Sequence, residues 1–122
     1  MTHLELAQKL CAMIGEGKLH EAVDELYADD VEIIEANGDT FKGAETQKGR
    51  INEWQAGLDG FHGGGVYAIT SNEEDGITMV ESYVDVTFKG APGQMRFEEV
   101  AVQTWKDGRI VRERFYYNAG SM

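Results

Sequence analysis

Ile77-Thr78-Met79-Val80-Glu81-Ser82-Tyr83-Val84-Asp85-Val86-Thr87-Phe88 is the stretch on which the fold turns. Side chains alternate across a strand, so Thr78, Val80, Ser82, Val84, Val86 and Phe88 share one face and Ile77, Met79, Glu81, Tyr83, Asp85 and Thr87 the other. Neither face reads as simply wet. That pattern predicts a curved sheet with helices on one face and a second subunit partly covering the other. Val66 to Ser71, Gln94 to Trp105 and Arg109 to Tyr117 are β-patterned as well. Glu73-Glu74-Asp75-Gly76, Gly90-Ala91-Pro92-Gly93 and Lys106-Asp107-Gly108 are rich in turn formers, and the last two joins are too short for anything but antiparallel hairpins.

Upstream the period changes. Thr2-His3-Leu4-Glu5 fits a capping box, and Leu4, Ala7, Leu10, Cys11 and Ile14 follow at helical spacing until Gly15-Glu16-Gly17 ends the run. Leu19, Ala22, Val23 and Leu26 predict a second helix from Lys18 to Leu26, which Asp29-Asp30 should break. Val31 to Glu35 reads as a strand, Asn37-Gly38 as a turn demanding positive φ, and Thr40-Phe41-Lys42 as a short return. Gly43 opens a third helix with Ile51, Trp54 and Leu58 as its apolar face, and Leu58 to Gly65 reads as a loop. Helix, helix, strand, helix and then a meander is an α+β layer order.

The chain has 122 residues, 42% of them hydrophobic, which suits one domain over residues 1–122. Its formal net charge of −11 argues against nucleic acid and against anionic membrane surfaces, since both require clustered Lys and Arg. Cys11 is the only cysteine, which removes an intrachain disulfide and a cysteine-based zinc site and points to a reducing compartment, cytoplasmic by default. Neither a signal peptide nor an apolar stretch of membrane-spanning length is visible. The two-sided apolar pattern of the meander predicts a homodimer.

Three segments carry a family resemblance: Gly17-Lys18-Leu19-His20-Glu21 through Leu26-Tyr27-Ala28-Asp29-Asp30-Val31, then Phe41-Lys42-Gly43, then Trp105-Lys106-Asp107-Gly108-Arg109-Ile110-Val111. In order and spacing the chain resembles the nuclear transport factor 2-like superfamily, in particular its SnoaL-like polyketide cyclase and ketosteroid isomerase branch. The resemblance implies a cone-shaped, strongly curved, mostly antiparallel sheet wrapped around three helices, an α+β fold also called cystatin-like. It further implies a mouth that admits a small apolar or aromatic molecule and pairing of copies through the sheet. A fold implies a pocket, not a reaction.

Glu35 is the first candidate for chemistry. It ends the strand Val31 to Ile34 and stands where the resembling isomerases place their proton-shuttling aspartate, eight residues after Tyr27. Ile33 and Glu35 share a strand face, so an inward Ile33 predicts an inward Glu35 whose pKa desolvation would raise unless a cation neutralises it. With Arg112 and Arg114 read as outward, no such cation is evident. The alternative is a solvated glutamate before the Asn37-Gly38 turn. The tyrosine and protonated aspartate that stabilise the enolate in those isomerases align with Leu10 and Ala101, so the same steroid chemistry is not expected here.

On the last strand Val111, Glu113, Phe115 and Tyr117 share a face, and on the strand before it Glu99, Ala101, Gln103 and Trp105 do. Glu113 would then point inward and form a coupled pair with Glu35; the alternative is a surface ion pair with Arg112, Arg114 or Arg96. His62, in Phe61-His62-Gly63-Gly64-Gly65, could act as acid or base or be a solvent-exposed loop histidine. Trp54, Tyr83, Glu99, Gln103, Trp105, Phe115 and Tyr117 are candidate substrate contacts. No spacing suggests a metal site, and no nucleotide or flavin fingerprint is present, so no cofactor is expected. The resemblance, taken with these residues, implies an isomerase- or cyclase-type enzyme moving a proton on an apolar carbonyl or polyketide-like compound. The alternative is a non-catalytic ligand-binding or dimerisation module of the same fold.

Overall fold

The computed structural model describes residues 1–118. Helix α1 (His3–Gly15) opens on the capping box read from the sequence, with the Thr2 hydroxyl accepting from the Glu5 amide and the Glu5 carboxylate from that of Thr2. Its first turn is clamped from a distance, because Glu73 accepts from the amides of His3 at 2.7 Å and Leu4 at 2.9 Å. Helix α2 (Leu19–Leu26) presents Ala22, Val23 and Leu26 inward and ends where Arg109 donates to the carbonyls of Asp24 and Tyr27. Strand β1 (Tyr27–Ile34), β2 (Thr40–Lys42) and helix α3 (Ala44–Ala56) follow. Helix α2 ends at Leu26 as read, but not through Asp29 and Asp30 as expected. They lie exposed within β1, in the stretch between Tyr27 and Glu32 where its register against the last strand shifts.

The long strands are β3 (Leu58–Asn72), β4 (Ile77–Phe88), β5 (Met95–Lys106) and β6 (Arg109–Tyr116). They form one open, curved six-stranded sheet in the order β2-β1-β6-β5-β4-β3, antiparallel except where β1 runs beside β6. The expected loop from Leu58 to Gly65 is instead the first half of β3. Its glycines answer to close packing: a Cβ at Gly64 would come within 2.8 Å of the Tyr83 carbonyl oxygen, and one at Gly65 within 2.9 Å of the Tyr83 ring. Three register shifts let this edge strand bend along β4. All three helices lie against the sheet, and Ala7, Leu10, Val23, Leu26, Ile33 and Ile110 meet in the core between them.

Candidate functional site

The register of the sheet decides which side chains face the helices. Gln103 lies opposite Glu113 across β5 and β6, Ala101 opposite Phe115, and Ile33 opposite Glu113 across the parallel pair. Alternation therefore brings Glu99, Gln103 and Glu113 to one face, the face that also holds the buried Ala101 and Trp105. Tyr83 pairs with Glu98 on the opposite face, where it stacks on Tyr67 and under Arg96. It is thus separated from the inner cluster by the sheet, contrary to the expected substrate contact. His62 is likewise exposed on edge strand β3, bonded to the Thr87 hydroxyl at 2.9 Å, because the segment that carries it is a paired strand rather than a loop at a mouth.

Glu113 is 2% exposed. One carboxylate oxygen accepts from the Tyr27 hydroxyl in a short hydrogen bond and the other from the Gln103 amide at 2.9 Å. Burial raises its pKa, the two donors pull it back, and Glu35 adds a smaller push upward. The Tyr27 hydroxyl is raised well above the usual tyrosine value by burial and by Glu113 beside it, so it stays a donor. Gln103 in turn accepts from the Thr78 hydroxyl at 2.7 Å, and Thr78 accepts from the Trp105 indole at 2.8 Å. Gln103 and Trp105 were expected to touch substrate. Both are buried, with Gln103 donating to Glu113 and Trp105 to Thr78.

Glu35 sits just past β1, in a turn closed by its amide donating to the Asp39 carbonyl at 2.9 Å. Its carboxylate accepts from Arg50 of α3 and from the Tyr117 hydroxyl at 2.7 Å, and its side chain is only 14% exposed. Arg50 is the cation that the sequence reading lacked, so the premise of an apolar pocket with no counter-charge does not hold. Its guanidinium also lies over the Phe41 ring, 4.1 Å from the centroid, and donates to Gln47. The Tyr117 hydroxyl is pushed up to about 12, by burial first and by Glu35 second.

Glu99 is close enough to both of these carboxyls to feel their charge. Among the described residues its carboxyl has no hydrogen-bond or ion-pair partner, and it keeps partial exposure while being closely surrounded by protein. Burial, then Glu113, then Glu35 raise its pKa to about 8. Phe97 packs edge-on against Tyr117 with ring centroids 5.0 Å apart, and Phe115 lies partly buried against the core, so the polar groups are framed by aromatic rings. Trp54 is half-buried on α3. The arrangement offers a carboxyl held by two donors at Glu113, an ion pair at Glu35, and at Glu99 a carboxyl of raised pKa with no partner among the described residues. Among the described residues no group of three or more His, Cys, Asp or Glu side chains is placed to hold a metal ion, and no helix is long and apolar enough to cross a membrane.

The sequence matches the SnoaL-like domain over residues 1–117. A proposed SnoaL-like polyketide cyclase from Mesorhizobium loti, also named carbohydrate phosphatase, is 29% identical, with 96% of this chain and 100% of that one covered at a TM-score of 0.85. An LEH-like epoxide hydrolase from M. tuberculosis is 17% identical over 98% of this chain and 85% of that one, with a TM-score of 0.74. An NTF2-like protein of unknown function from Burkholderia pseudomallei is 14% identical over 100% and 95%, with a TM-score of 0.84. The latter two share the fold alone. No curated protein matches the chain.

Proposed function

The chain belongs to the SnoaL-like domain family, and from that premise we propose that it is a cofactor-independent enzyme of isomerase or cyclase type, moving a proton on a small, largely apolar carbonyl or polyketide-like compound. The observation that carries this reading is Glu99, an inward carboxyl without a partner beside two carboxyls that have theirs. Its pKa of about 8 lies close to neutral pH, where a group can both take and return a proton. In the forward step the ionised Glu99 removes a proton from carbon next to the carbonyl, and the protonated Glu99 then delivers it to the neighbouring position. The developing oxyanion needs a donor. Arg50, which has N–H groups beyond those it gives Glu35 and Gln47, would supply it, as would Tyr117 on turning its hydroxyl from Glu35 to the oxyanion.

Polyketide-like substrates are chosen because Phe97, Phe115 and Tyr117 supply apolar area, and because a 29%-identical relative is named a polyketide cyclase. Deuterium exchange from D2O into a cyclic 1,4-diketone, whose α-hydrogens exchange slowly without a catalyst, tests the reading without knowledge of the product. Glu99→Gln should slow exchange by about 10²- to 10⁴-fold, the usual worth of a general base. Unchanged exchange in Glu99→Gln refutes the role of Glu99. Binding of the diketone with no exchange in either protein favours the non-catalytic ligand-binding module.

A further inference from the structure

An indole N–H can only donate, and that asymmetry fixes the direction of a chain of hydrogen bonds inside this protein. Trp105 donates to the Thr78 oxygen at 2.8 Å, so the Thr78 hydrogen is directed to its other neighbour, the Gln103 carbonyl oxygen at 2.7 Å. With its oxygen engaged, Gln103 must present its amide nitrogen to Glu113, at 2.9 Å. Tyr27 supplies the second donor. Thr78 and Gln103 are 0% and 1% exposed, so water offers neither of them an alternative partner.

We propose that Thr78 is a positioning residue of the inner site: by holding the Gln103 amide in one orientation it makes Glu113 purely an acceptor, and the proton shared by the carboxyl pair therefore resides on Glu99. The inference rests on the reading of Glu99 as proton carrier and adds what keeps the proton there. Two nearby carboxyls in a low-dielectric interior do not both ionise readily, so the pair keeps one proton at neutral pH and the better-solvated anion gives it up. Glu113 has two donors and Glu99 none.

The groups that surround the pair bear on this balance. Tyr27 on β1 stays neutral, the Cys11 thiol on α1 is raised by burial and by Glu113, and Glu35 is paired with Arg50 of α3 while accepting from Tyr117. None of them donates to Glu99. Thr78→Val keeps the shape but removes the hydroxyl, leaving the Gln103 amide free to turn its oxygen toward Glu113. An acceptor facing Glu113 favours the protonated form there and relieves Glu99.

Carbon-detected NMR titration of the glutamate carboxyls reads the outcome directly and needs no substrate. In Thr78→Val the Glu99 midpoint should fall from about 8 toward the ordinary glutamate range while that of Glu113 rises, and Thr78→Ser should restore both. Unmoved midpoints in a folded Thr78→Val overturn the proposal, yet leave the diketone-exchange test of Glu99 intact. Should Thr78→Val not fold, the unmodified protein decides. The Gln103 side-chain amide resonance should follow the titration of Glu113, and an amide that stays flat through that titration overturns the assignment.

Discussion

Glu99 sets the pH response at the scale of a single residue. Its folded pKa of about 8 lies above that of a free glutamate, so ionising it opposes folding. The penalty is absent below about pH 4.3, grows as the pH rises toward 8, and is then constant. Urea unfolding should therefore show the wild type losing stability between pH 5 and pH 8, while Glu99→Gln loses less over the same interval. Equal losses in the two proteins would show that Glu99 titrates normally. Much of this cluster is legible in the strand alternation, which by itself puts Glu99, Gln103 and Glu113 on the inner face. Arg50 is not. It sits on a helix with no buried residue and meets Glu35 fifteen positions away only because the chain turns back through β2. Nor could alternation show that Gln103 and Trp105 spend their polar atoms on Thr78 and Glu113, since a residue type does not announce its partner.

Elements depend on single contacts as well. The N-terminus of α1 is held both by its own capping box and by Glu73 of the turn joining β3 and β4, which also accepts from the Ser71 hydroxyl at 2.6 Å. Those donors, the Ser71 hydroxyl above all, lower the Glu73 pKa to about 2. A depressed folded pKa contributes stability that is present above the usual glutamate range and fades as the pH falls through about 2. Glu73→Gln should accordingly speed amide hydrogen exchange at His3 and Leu4 at pH 5, with the β5 and β6 core amides unchanged. Equal exchange at the first turn would mean the capping box alone holds α1. The capping box was readable because it is local in sequence; the Glu73 clamp spans about seventy residues and was not. β3 escaped for a different reason. Gly63-Gly64-Gly65 has the composition of a loop, but the glycines are there because the Tyr83 backbone and ring leave no room for a Cβ at positions 64 and 65.

At the scale of the whole molecule the face of the sheet away from the helices carries an argument about assembly. Met79 and Tyr116 are 45% and 49% exposed there, with Val100 and Val102 beside them in the same register. Shallow grooves of about 200 Å³, lined by Glu81, Glu98, Glu99, Val100 and Tyr116, and about 150 Å³, beside Met79, could receive side chains of a facing copy. Arg112 and Arg114 flank the apolar strip on one side and Glu81 and Glu98 on the other, and the buried Nε of Arg114 has no acceptor within the described chain. A two-fold arrangement can lay the basic edge of one copy on the acidic edge of the other, which a parallel stacking cannot. Opposing this is the net charge of −11 on each copy, whose repulsion salt screens beyond roughly 8–10 Å. Association through this face should therefore strengthen, not weaken, between low and physiological salt. Light scattering at tens of micromolar should give twice the 13.6 kDa of one chain, and Met79→Glu should return it to one. A wild-type mass of 13.6 kDa at every salt concentration would refute the pairing.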